Sequence, residues 1–362
     1  MTQDQHHIVA VGQIPPPVDG LAYITSAYLN LLQETHAVRT VNISPRAAGG
    51  LRYHLSRAWA VLGGSFRLLL DAARPNRICY MPCQSDFGVI YTIFLLAVAR
   101  ILRYRRFLHH HNFGYINERR PLMGLVLRVG GRATTHIFLC EKMRDRFSQT
   151  YWRPPLSTIV SNAAFVRPNE GKHSPSITQL RIGLLSNLNE EKGLYLFLDL
   201  MRSIVASGLE ISGTLAGPVK LDKDKRAIEA AIKDLGTSLT YLGPLYGEDK
   251  LRFYSSIDVF VFPTTYVNEA QPTVVFEALA AGNLVLAYDR GCIASQVKQD
   301  GLVIQQDQPF VASAISWLET LVSKRRGIDR LEISQRAMSK HLAERAKAQC
   351  ALRETPPERA AA

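Results

Sequence analysis

The sequence predicts an α/β protein of two doubly wound, Rossmann-like domains with a cleft between them. Three observations carry that reading. Short apolar, β-branched runs alternate with helix-length segments along the whole chain, the pattern of parallel strands joined by crossover helices. The alternation is interrupted once, at 166–178 (VRPNEGKHSPSIT), where a polar stretch with two prolines reads as a linker. The 362 residues, 47% hydrophobic and 20% charged, supply full cores for two domains and exclude disordered and low-complexity classes.

In order along the first half, strands are expected at 8–14, 38–43, 77–81, 106–110, 136–140 and 158–160, with helical spacing between them, as in 21–32 and 52–70. A second series follows the linker, with strands at 181–185, 210–215, 239–242, 259–262, 284–287 and 302–304. The last helical stretch, 329–352, is long enough to cross back to the first domain, and the closing TPPERAAA reads as frayed. The expected divisions are therefore 1–170, 171–340 and 341–362, the last being the end of the returning helix and its tail.

Charge is divided unevenly. Residues 1–170 hold 20 Lys and Arg against 9 Asp and Glu, and the remainder holds 23 against 22, so nearly all of the net +12 belongs to one domain. Its basic residues are Arg except for Lys142, which suits bidentate phosphate contact. An anionic surface partner is implied, either nucleic acid or the cytoplasmic leaflet. Aromatic and basic residues do not interleave in the recurring way that stacks single strands, so nucleic acid is not expected. The longest apolar run, 89–102, is broken by Arg100 and falls short of the roughly 20 residues of a membrane span. The start lacks the order of a signal peptide, and the five cysteines show no CxxC and no Cys/His ligand spacing, so a cytoplasmic protein without structural zinc is expected.

Chemistry concentrates in 262–282, FPTTYVNEAQPTVVFEALAAG. A strand ends at Pro263, a loop presents Glu269, and a helix starting near Thr273 carries Glu277 in its first turns. Open α/β sheets bind ligands at the carboxyl ends of strands, and a new helix offers free N–H groups to a phosphate. A glutamate near a helix start is also favoured by the dipole alone.

The segment as a whole resembles the retaining glycosyltransferases of family 4, whose signature is E-x7-E before a small-residue helix end; here Glu269 and Glu277 precede ALAAG. YLGPLYGEDKLRFYSSIDVFVFPT (241–264), LLSNLNEEKGLYLFLDLM (184–201) and VGQIPPPVDGLAYITS (11–26) are similar to other parts of that family. The resemblance implies the GT-B fold, with residues 1–170 binding the acceptor and 171–340 binding a nucleotide-sugar donor. It implies that Glu277 holds the donor ribose, that Glu269 faces the transferred sugar, and that Gln271, Pro272, Thr273 and Val274 lie near sugar and diphosphate. Proline at this helix start is tolerated independently of any family. Lys192 matches the family's basic residue for the diphosphate, although a solvated lysine at a helix start looks the same in sequence. The arginine usual five residues earlier is replaced by Asn187, which carries no charge. In the first domain Gly20 and Leu21 match the backbone contacts of the amino-terminal loop. His111, with His109 second, matches the histidine at a strand end that points to the donor sugar; a buried structural histidine is the other reading.

No metal or other cofactor is expected. His109 and His111 share a face without a third ligand, and Asp222-Lys223-Asp224 has the D-x-D form but lies in a charge-alternating segment read as surface. The implied reaction moves a sugar from a nucleotide diphosphate sugar to an acceptor with retention, without a protein general base. A basic amphipathic segment with Arg52, Arg57 and Arg67, and Arg103 after the next apolar run, reads either as a core-facing helix or as a docking surface for an anionic inner membrane. Docking would suit a lipid-linked saccharide acceptor of bacterial surface polysaccharide or glycolipid synthesis. The alternatives are an isomerase or phosphorylase of the same fold, an inactive protein, given Asn187, and a nucleic-acid-binding protein.

Overall fold

The computed structural model describes residues 6–15, 20–44, 50–166, 179–323 and 328–353, with the side chains of residues 50–54 and 86 not among those described. The linker at 167–178 and the tail from 354 lie outside these residues. The chain divides into two compact units, Met1–Phe165 with Glu344–Ala362, and Val166–Ala343.

Unit 1 runs β1 (His7–Gly12), α1 (Gly20–Gln33), β2 (Ala37–Asn42), α2 (Gly50–Leu70), β3 (Arg77–Pro82), α3 (Val89–Ile101), β4 (Arg105–His109), α4 (Gly114–Asn117), α5 (Pro121–Gly130), β5 (Thr134–Phe138), α6 (Glu141–Thr150) and β6 (Ser157–Ile159). Its parallel sheet has the order β2-β1-β3-β4-β5-β6. Strands such as β3, buried over Ile78–Pro82, are apolar at successive positions because helices cover both faces. Tyr28, Tyr80, Phe107 and Ile137 meet in the core with Ala348 and Leu352 of the closing segment, and the Tyr28 hydroxyl donates to the Ala348 carbonyl at 3.3 Å.

Unit 2 runs β7 (Leu180–Leu185), α7 (Leu194–Ala206), β8 (Ile211–Ala216), α8 (Asp222–Leu235), β9 (Leu239–Tyr241), α9 (Gly247–Ser256), β10 (Val259–Phe262), α10 (Thr273–Ala280), β11 (Leu284–Tyr288), α11 (Ile293–Val297), β12 (Gly301–Ile304) and α12 (Phe310–Ser323); α13 (Arg330–Cys350) follows. The sheet order is β12-β11-β10-β7-β8-β9, also parallel. The chain leaves β7 to one side, toward β8 and β9, and returns on the other to β10. The loops after β7 and β10 therefore part in opposite directions and open a crevice, the usual ligand position of such sheets. Arg330 at the start of α13 is buried and donates to the Ile257 carbonyl, to Asp258 and to Asn283, at 2.8, 3.0 and 2.6 Å.

Two sequence readings are corrected. Asp224 of the D-x-D stretch is fully buried and accepts the Tyr195 hydroxyl at 2.7 Å, so of its two aspartates only Asp222 is surface. Arg57, expected on a docking surface, is 5% exposed. It donates to Gln84 at 2.9 Å and its guanidinium lies 4.8 Å from the Tyr91 ring centre, because an inward-facing charge needs partners. Arg103 is exposed just beyond α3, and the side chain of Arg52 lies outside those described.

Candidate active site

The β7–α7 turn and the β10–α10 loop are stitched together by backbone. The Glu191 carbonyl accepts the amides of Thr265 and Tyr266 at 2.8 and 3.0 Å. Gly193 makes this approach possible: its φ is +83°, and a Cβ there would stand 2.4 Å from the Pro263 carbonyl oxygen. On the other side Gly291, at φ +51°, lets the turn after β11 press on the backbone of Glu269 and Ala270, with the Cys292 amide donating to Ala270 at 2.7 Å.

This stitching pairs Lys192 with Glu269. The Lys192 ammonium lies 2.6 Å from the Glu269 carboxylate, which is largely buried and also accepts the Thr264 hydroxyl at 3.1 Å. The Tyr266 ring lies under the same ammonium, at 4.6 Å from its centre. An ammonium has three protons, so two directions remain for an anion after Glu269 has taken one. Beside them α10 begins at Thr273 with Pro272 as its N-cap, no capping side chain, and no acidic residue in its first turn. The first N–H groups of a helix have no partner within it, and they carry its positive dipole end. Pro272, Thr273 and Val274 are partly exposed, whereas Gln271 is buried.

Glu277 stands one turn further along α10. Its Oε2 accepts the Tyr254 hydroxyl at 2.8 Å and the Lys250 ammonium at 2.6 Å, both from α9. Burial, and then the neighbouring carboxylate, push the Tyr254 hydroxyl well above its ordinary pKa, so it remains a donor. The structure thus brings Lys192, Glu269, Gln271, Pro272, Thr273, Val274 and Glu277 onto adjoining segments of unit 2. Asn187 is exposed just past the end of β7. Sequence reasoning missed Thr264, Tyr266, Lys250 and Tyr254; the available signal was the four-residue spacing of Lys250 and Tyr254, which puts them on one helix face.

The remaining expected residues belong to unit 1. Gly20 opens α1 with open space where a Cβ would stand, and Leu21 follows it, half-buried. His109 is fully buried, with Nδ1 paired to the Tyr80 hydroxyl at 2.8 Å, and its ring centre lies 3.9 Å from that of His111. The His111 Nε2 is buried without a partner, and burial holds this imidazole down to about 3, so it is neutral at physiological pH. Among the described residues no group of three or more His, Cys, Asp or Glu has the arrangement to hold a metal ion.

HepE of Anabaena, solved in complex with UDP, superposes with a TM-score of 0.70 at 14% identity, over 96% of this chain and 99% of that one. OtsA, a trehalose-6-phosphate synthase, gives 0.66 at 13% identity over 97% and 99%. The sucrose-phosphate synthase of Thermosynechococcus elongatus gives 0.66 at 12% over 96% and 97%. The fold is GT-B. Residues 179–320, the part of the GT-B chain that holds the Lys192–Glu269 pair and α10, match the family model for glycosyl transferases group 1. No curated protein matches the sequence.

Proposed function

We propose that the chain is a retaining glycosyltransferase of the family-4 type, moving a hexose from a nucleoside diphosphate sugar to a lipid-linked saccharide. The observation that carries this is the Lys192–Glu269 pair beside the uncapped start of α10, with Glu277 one turn along. The departing diphosphate needs compensation for its growing negative charge, and Lys192 with the first N–H groups of α10 supplies it without a metal. Glu269 orients the sugar hydroxyls, and Glu277 accepts from the ribose through Oε1, since Oε2 is already engaged. His111 and the start of α1 at Gly20 and Leu21 serve the sugar and acceptor side. Uridine diphosphate is the first donor base to test, because HepE has also been solved with UDP-glucose.

The setting is bacterial surface polysaccharide or glycolipid synthesis at the cytoplasmic face of the inner membrane. Its support is the concentration of net positive charge in residues 1–170. The deciding experiment is a panel of UDP- and GDP-sugars, reading nucleoside diphosphate release with and without acceptor extracts, in buffer with and without EDTA. Acceptor-dependent release that persists in EDTA supports the reading. Release that needs no acceptor points to another GT-B reaction, and loss in EDTA restored by a divalent ion overturns the metal-free chemistry.

A further inference from the structure

The outward face of α2 is apolar throughout its described side chains. Leu55, Trp59, Leu62, Phe66, Leu69 and Leu70 are 51–73% exposed. The first five are spaced by four, three, four and three residues, which places them on one stripe. The other exposed positions from residue 55 onward are Ala58 and Gly63, so this face carries no charge and no polar side chain. The polar residues sit elsewhere: Arg57 is buried on Gln84 and Tyr91, and Arg67 pairs with Asp71 at 3.2 Å. A helix on a water-facing surface has the reverse pattern. The neighbouring α3 continues the face with Ile90, Phe94 and Ile101, and Phe87 just before it is 84% exposed. Exposed apolar fields of this extent mark contact with something other than water.

The surrounding charge says what covers it. Between residues 50 and 132 the chain has 13 Arg, no Lys and 3 acidic residues. Arg100, Arg103, Arg120, Arg128 and Arg132 are exposed at or near the ends of α3 and α5. An apolar field with Arg100 and Arg103 on either side of exposed Ile101 at its end matches the acyl chains and anionic headgroups of a bilayer, whereas a second copy would set like charge against like. No helix of the described residues is long and apolar enough to cross a membrane, which leaves the interface plane as the only place a membrane could meet this face.

We propose that the α2–α3 face is a platform that inserts into the outer few ångströms of an anionic phospholipid leaflet, with the arginines settling on headgroups. This deepens the membrane part of the proposed function and is independent of the transfer chemistry. It also replaces the purely electrostatic docking expected of Arg52, Arg57 and Arg103: insertion, not charge alone, holds the protein down.

The test uses the full chain with vesicles of phosphatidylglycerol and phosphatidylethanolamine, and of phosphatidylcholine alone. The wild type is expected to float with the anionic vesicles. In a Trp152→Phe/Trp317→Phe background, Trp59 emission is expected to shift blue and to be quenched by brominated acyl chains. Trp59→Glu/Phe66→Glu is expected to lower vesicle partition at least about tenfold, since two large apolar side chains no longer leave water, with UDP affinity by calorimetry unchanged. Trp59→Ser, a milder change, is expected to give an intermediate loss. Flotation without quenching, no flotation with either vesicle, or a dimer in light scattering that Trp59→Glu/Phe66→Glu dissolves would each overturn the platform. Flotation and quenching in a protein that binds no nucleotide would uphold it while sinking the donor reading.

Discussion

Lys192 and Glu269 are 77 residues apart in sequence and 2.6 Å apart in space, with the carboxylate 10% exposed. Removing the lysine alone leaves that carboxylate without its counter-charge, so Lys192→Met is expected to destabilise the fold by about 1–3 kcal/mol. The double variant Lys192→Met/Glu269→Gln is expected to recover most of that stability while remaining inactive. Urea midpoints of the single and double variants, set beside their turnover, separate the structural cost from the chemical one. Glu277→Ala is expected to weaken UDP binding by about 10- to 100-fold, the worth of one hydrogen bond to a charged group, as read by calorimetry. Glu269→Ala is expected to lower turnover more than nucleotide affinity, because its partner is the sugar. Normal UDP affinity in a folded Glu277→Ala protein overturns the assignment.

The β7–α7 turn and α10 act as a unit, and Gly193 holds them in register. Gly193→Ala is expected to cost at least about 2 kcal/mol in thermal unfolding, since its Cβ meets both a left-handed backbone and the Pro263 carbonyl. It is also expected to impair turnover, by moving Lys192. Gly63→Ala is the contrasting case. That glycine lies inside α2 with nothing within 4 Å of a new Cβ, so the substitution is expected to stabilise by about 0.5–1 kcal/mol. A Gly193→Ala protein as stable and active as the parent would overturn the role given to this turn.

Across the molecule the two units are expected to respond differently to acid. Unit 1 buries His109, His110 and His136 and half-buries His111; burial lowers the first two well below ordinary imidazole and takes His111 to about 3 and His136 to about 4. His110 Nε2 pairs with His136 Nδ1 at 2.9 Å, a bond that needs at least one neutral ring. Folded pKa values below the unfolded value of about 6.5 mean that the unfolded chain binds more protons below that pH. The contribution of these residues is therefore complete above about pH 6.5 and is lost as pH falls toward the folded values, by about 1.4 kcal/mol per pH unit for each histidine. Unfolding of unit 1 is expected to separate from that of unit 2 between pH 6.5 and 4 in calorimetry, with unit 1 melting first. A single transition that does not move over that range would contradict this.

The twelve strands of the described residues were legible from sequence, within about two residues at each end; the central ones, covered on both faces, are apolar at consecutive positions and leave short, bounded runs. The start of α10 and the placement of Glu269 and Glu277 around it were legible for a related reason: a strand, a loop and a helix in series are set by local chemistry. Partners were not. Lys250 and Tyr254 on Glu277, Lys192 on Glu269 and Arg57 on Gln84 are contacts across 23 to 77 residues, made only when turns close in particular directions. The orientation of α2 was the largest such decision. Periodicity established that the helix has two faces, but both are apolar enough to pack, and the charge count suggested that arginine faced outward. Tertiary structure chose the face on which a Cβ added at Gly64 would stand 3.3–3.5 Å from Val11, Val41 and Leu95 and whose Arg57 finds Gln84 and Tyr91, and it left Trp59 and Phe66 outside. Sequence by itself determined the elements and their order, because these depend on neighbours along the chain; which faces meet depends on close packing between distant segments, and only the folded chain decides that.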